Sequence, residues 1–150
     1  MEVDRFITSD LDKGIMRSWR PGGPDKTIYA YTQITHWNME NIAITGELVI
    51  HKELARELAD ITHDIFKAHF PIESVRLIDY WDADDERSMS ANNSSGLNVR
   101  PITGGAALSL HADRAIDFNA RINPYHNPAK GIIAPANGAQ YLDRTQLIPG

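Results

Sequence analysis

Gly46 to Tyr80 reads GELVIHKELARELADITHDIFKAHFPIESVRLIDY, and its changes of period decide the fold class. GELVIH, Gly46 to His51, is a short apolar run of strand type. From Lys52 to Phe70 the period becomes helical. Leu54, Leu58, Ile61 and Ile65 fall on one stripe, with Arg56, Asp60, His63 and Lys67 on the other, so the first stripe should face a core. Pro71 stops the helix. SVRLIDY, Ser74 to Tyr80, returns to a strand-like pattern. A strand, a helix and a second strand in this order predict a mixed α+β domain.

Upstream, Thr27 to Thr35 (TIYAYTQIT) alternates β-branched and aromatic residues as a strand does. Residues 1–26 end in Arg20-Pro21-Gly22-Gly23-Pro24 and read as an irregular N-terminal segment. Downstream, Trp81 to Gly96 is polar and reads as a long loop without a core of its own. Asn98 to Pro101 is a candidate short strand before the turn at Gly104-Gly105, and a further strand pair is expected within 111–119. Residues 120–150 are rich in Pro, Gly and Asn and carry no convincing periodicity. The 150 residues fit one domain, 1–150, without internal repeats.

Composition narrows the function classes. With 15 Lys and Arg against 20 Asp and Glu the net charge is -5, which argues against a surface for nucleic acid. The absence of cysteine excludes disulfides, thiolate zinc sites and a thiol nucleophile. The N-terminal MEVDRFITSDLDKGI has no apolar core of a signal peptide. No apolar run approaches the ~18 residues of a membrane span.

Ser109 to Asn119 reads SLHADRAIDFN and sets His111 six residues before Asp117, two side chains that zinc accepts. Alternation places Ala115, Asp117 and Asn119 on one side and Ile116 and Phe118 on the other. An aspartate on the polar face of a strand is held rigidly away from the core, as a metal ligand should be. From spacing alone, a buried histidine paired with a carboxylate is the better explanation of the two residues, and only the surrounding motifs reverse that order. Arg100, likewise, reads either as functional or as a salt-bridge partner. The acidic run Asp82, Asp84, Asp85 and Glu86 lacks the glycine and distal glutamate of a calcium loop and reads as a solvated loop. Asn92 to Ser95 reads as turn chemistry that satisfies backbone groups. His63 lies on the polar helix stripe, and His36, His51 and His69 have no acidic partner at ligand spacing, so all four read as structural or surface residues.

Four stretches carry a resemblance beyond these spacings: GELVIHKELA (Gly46 to Ala55), FPIESVRLID (Phe70 to Asp79), SMSANNSSGLNVR (Ser88 to Arg100) and SLHADRAIDFNARINPY (Ser109 to Tyr125). Together and in this order, over more than half of the chain, they resemble the zinc D-alanyl-D-alanine carboxypeptidases. That group includes VanY-type DD-carboxypeptidases and phage L-alanyl-D-glutamate endolysins. The resemblance implies a small α+β fold of the hedgehog/DD-peptidase kind, with a central antiparallel sheet flanked by helices. It implies Zn2+ held by His111 and Asp117, and Arg100 stabilising the oxyanion formed when water attacks the scissile carbonyl. It also implies Ser109 as a hydrogen-bonding group for substrate, a peptidoglycan stem peptide as partner, and action at the cell wall.

Two departures shape the expectation. Between His111 and Asp117 stand only Ala112 to Ile116, one residue fewer than in the family, and the family's turn glycine is missing. The alternation around Asp117 places that deletion near Asp113. The family's late acid-x-x-His segment, which supplies a general base and a third zinc ligand, has no counterpart. The one histidine after Asp117 is His126, and Asn123 stands where the acid would be. The chain ends in a turn-like segment at Gly150, so the strand carrying that segment is expected outside it. The expected function is a zinc-dependent peptidase of peptidoglycan stem peptides. The alternative is a non-catalytic peptidoglycan-binding domain of the same fold.

Overall fold

The computed structural model describes residues 4–10, 25–99 and 114–150. Strand β1 (Phe6–Asp10), β2 (Tyr29–Trp37) and β3 (Ala43–His51) form a three-stranded antiparallel sheet in the order β1-β2-β3. The N-terminal segment is therefore not wholly irregular, because Phe6 to Asp10 pair with Ile34 to Ala30. β2 starts two residues later than Thr27 and runs on to Trp37. Asp25 caps a short 3-10 turn over Lys26–Ile28, its carboxylate accepting from Thr27 N at 2.9 Å. The β2–β3 hairpin is closed by Asn38, whose side-chain oxygen accepts from Glu40 N at 3.0 Å and Ile42 N at 2.9 Å.

Because successive side chains alternate across a strand, the sheet buries two faces. Ile34, Leu48 and Ile50 pack on one side with Leu58, Ile72 and Val75. Tyr29 and Val49 pack on the other with Leu77, Ile78, Leu97 and Val99. At roughly 1.5–3 kcal/mol for each fully buried large apolar side chain, these two clusters dominate the stability of the domain.

Helix α1 (Ala55–Lys67) covers the first face. Its buried line is Leu58, Thr62 and Phe66, with Leu54 and Ile65 packed against the core beside it. Three of the four residues of the expected stripe therefore face the core, and only Ile61, 44% exposed, is rotated out of it. The cause lies at the C-terminal end. Phe66 stacks on Trp37 with ring centroids 5.1 Å apart, and its carbonyl accepts from Trp37 Nε1 at 2.9 Å. That anchor turns the 58/62/66 line inward. The helix closes in a Schellman arrangement, with Phe70 N bonding Ile65 O, His69 N bonding Phe66 O, and His69 at φ 51.

Strand β4 is only Ser74–Val75, shorter than the expected 74–80, and Ile78–Trp81 is a 3-10 turn. The Asn93 side chain takes the Arg76 N–H and carbonyl, at 3.0 and 2.9 Å, that a continuing ladder would have used. The expected loop over 81–96 contains helix α2 (Asp85–Ser90) and strand β5 (Asn93–Ser94). Asp84 caps α2 by accepting from Arg87 N at 3.0 Å, and Asp85 and Glu86 occupy the first turn, where the helix dipole favours negative charge. The acidic run is a helix start rather than a free loop. Asn98 and Val99 form no strand. Beyond 120, a small hairpin of β6 (Tyr125–Asn127) and β7 (Ile132–Ala134) is the only paired element among the described residues. Among the described residues no helix is long and apolar enough to cross a membrane.

Candidate functional site around Asp117

β4 and β5 pair in parallel, Ser74 with Asn93 and Val75 with Ser94, and the next residue, Ser95, bridges antiparallel to Asp117. Ser95 N donates to Asp117 O and Asp117 N to Ser95 O, both at 3.1 Å. Paired residues point to the same side of a sheet. Ser74, Asn93, Ser95 and Asp117 therefore share one face, and Val75, Ser94, Ile116 and Phe118 share the other. The second face meets the core, because Ile116 and Phe118 pack on the cluster that contains Val75. Asp117 is exposed. The alternation read from the sequence holds at these three positions.

It stops at Asn119. This residue was expected beside Asp117, but it takes φ 48 and is fully buried. Its side-chain oxygen accepts from Glu73 N at 2.9 Å, its amide donates to Pro71 O at 3.0 Å, and its backbone N–H donates to Ser94 Oγ at 2.9 Å. Asparagine tolerates the left-handed conformation better than most residues, and here it ends the strand-like run by turning inward.

Asn92 and Asn93 complete the frame. Asn92 Oδ1 accepts from Arg121 N and Ile122 N, both at 3.1 Å. Asn93 satisfies both ends of its amide: its oxygen accepts from Ser74 Oγ and Arg76 N, and its nitrogen donates to Arg76 O and Ser88 Oγ. The Asn93 amide, bonded at both ends, and the Asn92 oxygen, bonded twice although its Nδ2 has no partner among the described residues, fix a backbone that contains few ladder bonds. The reading of Asn92 to Ser95 as backbone-satisfying chemistry holds, although the residues belong to a packed element.

Arg100, Ser109 and His111 lie outside the described residues. Among the described residues no group of three or more His, Cys, Asp or Glu side chains could hold a metal ion. His126 is exposed on β6, opposite Ile133. His69 stacks on Trp37 at 4.2 Å, and His63 pairs with Asp4. His36 is buried, and burial pushes its imidazole below the ordinary value.

One cluster was missed in the sequence. Arg114, three residues before Asp117, donates to Glu53 Oε2 at 2.9 Å and lies 3.3 Å from His51 Nε2. His51 Nδ1 lies 3.8 Å from Glu53 Oε2, so His51 does have an acidic neighbour, two residues on. The hydrogen bond and charge of Arg114 hold the Glu53 carboxyl below the usual carboxylate range. The His51–Glu53 spacing was visible, but nothing local signalled a partner sixty-odd residues away. Behind this cluster, Leu54, Leu58, Ile61, Ile116 and Phe118 line a mainly apolar groove of about 220 Å³.

Comparison with protein-family models, with curated proteins and with solved structures gave no match.

Proposed function

We propose that the chain is a zinc-dependent peptidase of peptidoglycan stem peptides, with His111 and Asp117 among the metal ligands. The observation that carries this reading is the placement of Asp117: an exposed carboxylate, bonded through both backbone groups to Ser95, with Ile116 and Phe118 anchored in the core on either side. A hard oxygen donor on so constrained a backbone suits zinc, which accepts Asp, His and water. Zinc bound there supplies a Lewis acid that polarises a carbonyl and acidifies its water. In this reading Arg100 donates hydrogen bonds to the developing oxyanion and Ser109 holds the substrate. The five-residue interval Ala112 to Ile116 supports a second reading, a peptidoglycan-binding domain without catalysis.

Metal analysis of the purified chain, with and without prior chelation, tests the proposal together with mass spectrometry of muropeptides after incubation with zinc. Retained zinc and release of terminal D-alanine, or cleavage beside a D-residue, are expected. Zinc no higher than in an Asp117→Ala variant, with intact muropeptides, would overturn the catalytic reading. Sedimentation of that zinc-free chain with insoluble peptidoglycan would then establish the second one.

A further inference from the structure

Among the described residues β3 is the edge strand of its sheet; β4 packs against it at Gly46, and the backbone groups on either side of that contact face outward. Leu97 N donates to Val49 O at 2.9 Å, so Val49 turns its backbone groups away from β2. With the two-residue period of a strand, Thr45 and Glu47 do the same. The register agrees, because their partners Thr35 and Gln33 then face β1, and Thr35 N does bond Arg5 O at 3.0 Å. Among the described residues no group pairs with the outward N–H and C=O of Thr45 or Glu47.

A cleft of about 220 Å³ runs along this edge, lined by Gln33, His36, Thr45, Glu47, Arg76 and Tyr80 among others. Its charged groups are unequal. Glu47 accepts from Tyr31 Oη at 2.6 Å, and Gln33 Nε2 donates to the same hydroxyl at 3.1 Å, so the acid is already engaged. Arg76 is exposed, lies over the Tyr80 ring at 4.8 Å, and has no carboxylate within ion-pair distance among the described residues. His36, 1% exposed, sets Nδ1 against Trp37 O at 3.3 Å, which leaves Nε2 as an acceptor without a partner among the described residues. Gly46 lets Val75 pack beside this imidazole, since a Cβ there would stand 2.5 Å from Val75 Cβ and 3.2 Å from Nε2, so His36 forms the closed wall of the cleft.

We propose that this edge docks an extended peptide segment bearing a carboxylate. Its main chain pairs with Thr45 and Glu47 as an added strand, and its carboxylate binds the Arg76 guanidinium. Edge strands are ready templates for such pairing, and an unpaired arginine selects an acidic guest. A stem peptide has both features, so the inference deepens the peptidase reading by naming a docking edge, yet the edge needs no metal.

The test is titration of the whole chain, in EDTA, with the pentapeptide L-Ala-γ-D-Glu-L-Lys-D-Ala-D-Ala, followed by heteronuclear NMR. The amides of Thr45 and Glu47 and the Arg76 side chain should shift together. Thr45→Pro removes an outward N–H without touching the β2 ladder and should weaken binding about fivefold, the worth of one hydrogen bond. Arg76→Gln, or amidation of the peptide carboxylates, should weaken it about tenfold or more. Shifts confined to other residues, or unchanged affinity in both variants, would overturn the proposal. Since EDTA removes metal, loss of the peptidase reading leaves these shifts in place. Retained zinc without the shifts would sink the docking edge alone.

Discussion

Ser95 and Asp117 exchange both backbone hydrogen bonds at 3.1 Å, which ties an exposed carboxylate to a strand 22 residues upstream. Local sequence contributes only alternation; the rigidity comes from this one long-range pair and the two apolar neighbours. Asp117 can thus be altered at its side chain while its backbone stays held. Asp117→Asn keeps the size of the side chain and both backbone bonds to Ser95, so the variant should still unfold cooperatively. In the proposed site it should lose zinc and hydrolysis together. Urea denaturation and metal analysis of the same preparation check both, and zinc retained at the wild-type level would remove Asp117 from the ligand set.

Asn93 is the opposite case, a buried side chain whose loss should be felt throughout the small sheet. Replacement by Ala strands the Arg76 N–H and carbonyl and the Ser74 and Ser88 hydroxyls. With roughly 1–3 kcal/mol for a buried group left without its partner, and some groups rescued by water, Asn93→Ala should cost about 3 kcal/mol. Calorimetry reads this as a lowered Tm. A change within error would mean that the amide is not the fastening of β4 to β5.

How much of this was legible follows from the range of each interaction. The hairpin and α1 were readable because their signals lie within a few residues: alternation in TIYAYTQIT, helical period after His51, and Pro71 as a stop. The rotation of Ile61 out of the core was not, because the Trp37–Phe66 stack joins residues 29 apart. The polar run at Asn92 to Ser95 looked like a loop because hydrophobic period is blind to strands held by amide side chains. At the candidate site, the two faces around Asp117 were legible from Ile116 and Phe118. Arg114 was not, since its partner Glu53 is on another element.

Gly46 tests how tightly β4 crosses β3. A Cβ there would stand 2.5 Å from Val75 Cβ and 2.8 Å from Val75 O, closer than real contacts allow. Backbone cannot swing aside as a flexible side chain does, so Gly46→Ala should destabilise by about 2 kcal/mol through overpacking. Equilibrium unfolding measures it. An unchanged midpoint would show that β4 slides freely along the edge.

His36 gives the fold a pH dependence whose sign is fixed by burial. Desolvation pushes the folded imidazole below its ordinary value, while weaker backbone hydrogen bonds oppose this. The unfolded chain binds the proton near pH 6.5, within about a unit, and the folded chain binds it only at lower pH. The stabilising contribution is therefore complete above the unfolded pKa, and it is lost as the pH falls toward the folded one, with a limiting slope of about 1.4 kcal/mol per pH unit. Urea midpoints should drop between pH 7 and pH 5.5, before the exposed carboxylates titrate, and the drop should flatten in His36→Gln even if that variant starts from a lower midpoint. An equal slope in the two proteins would assign the loss to other groups and place a water or charge beside Nε2.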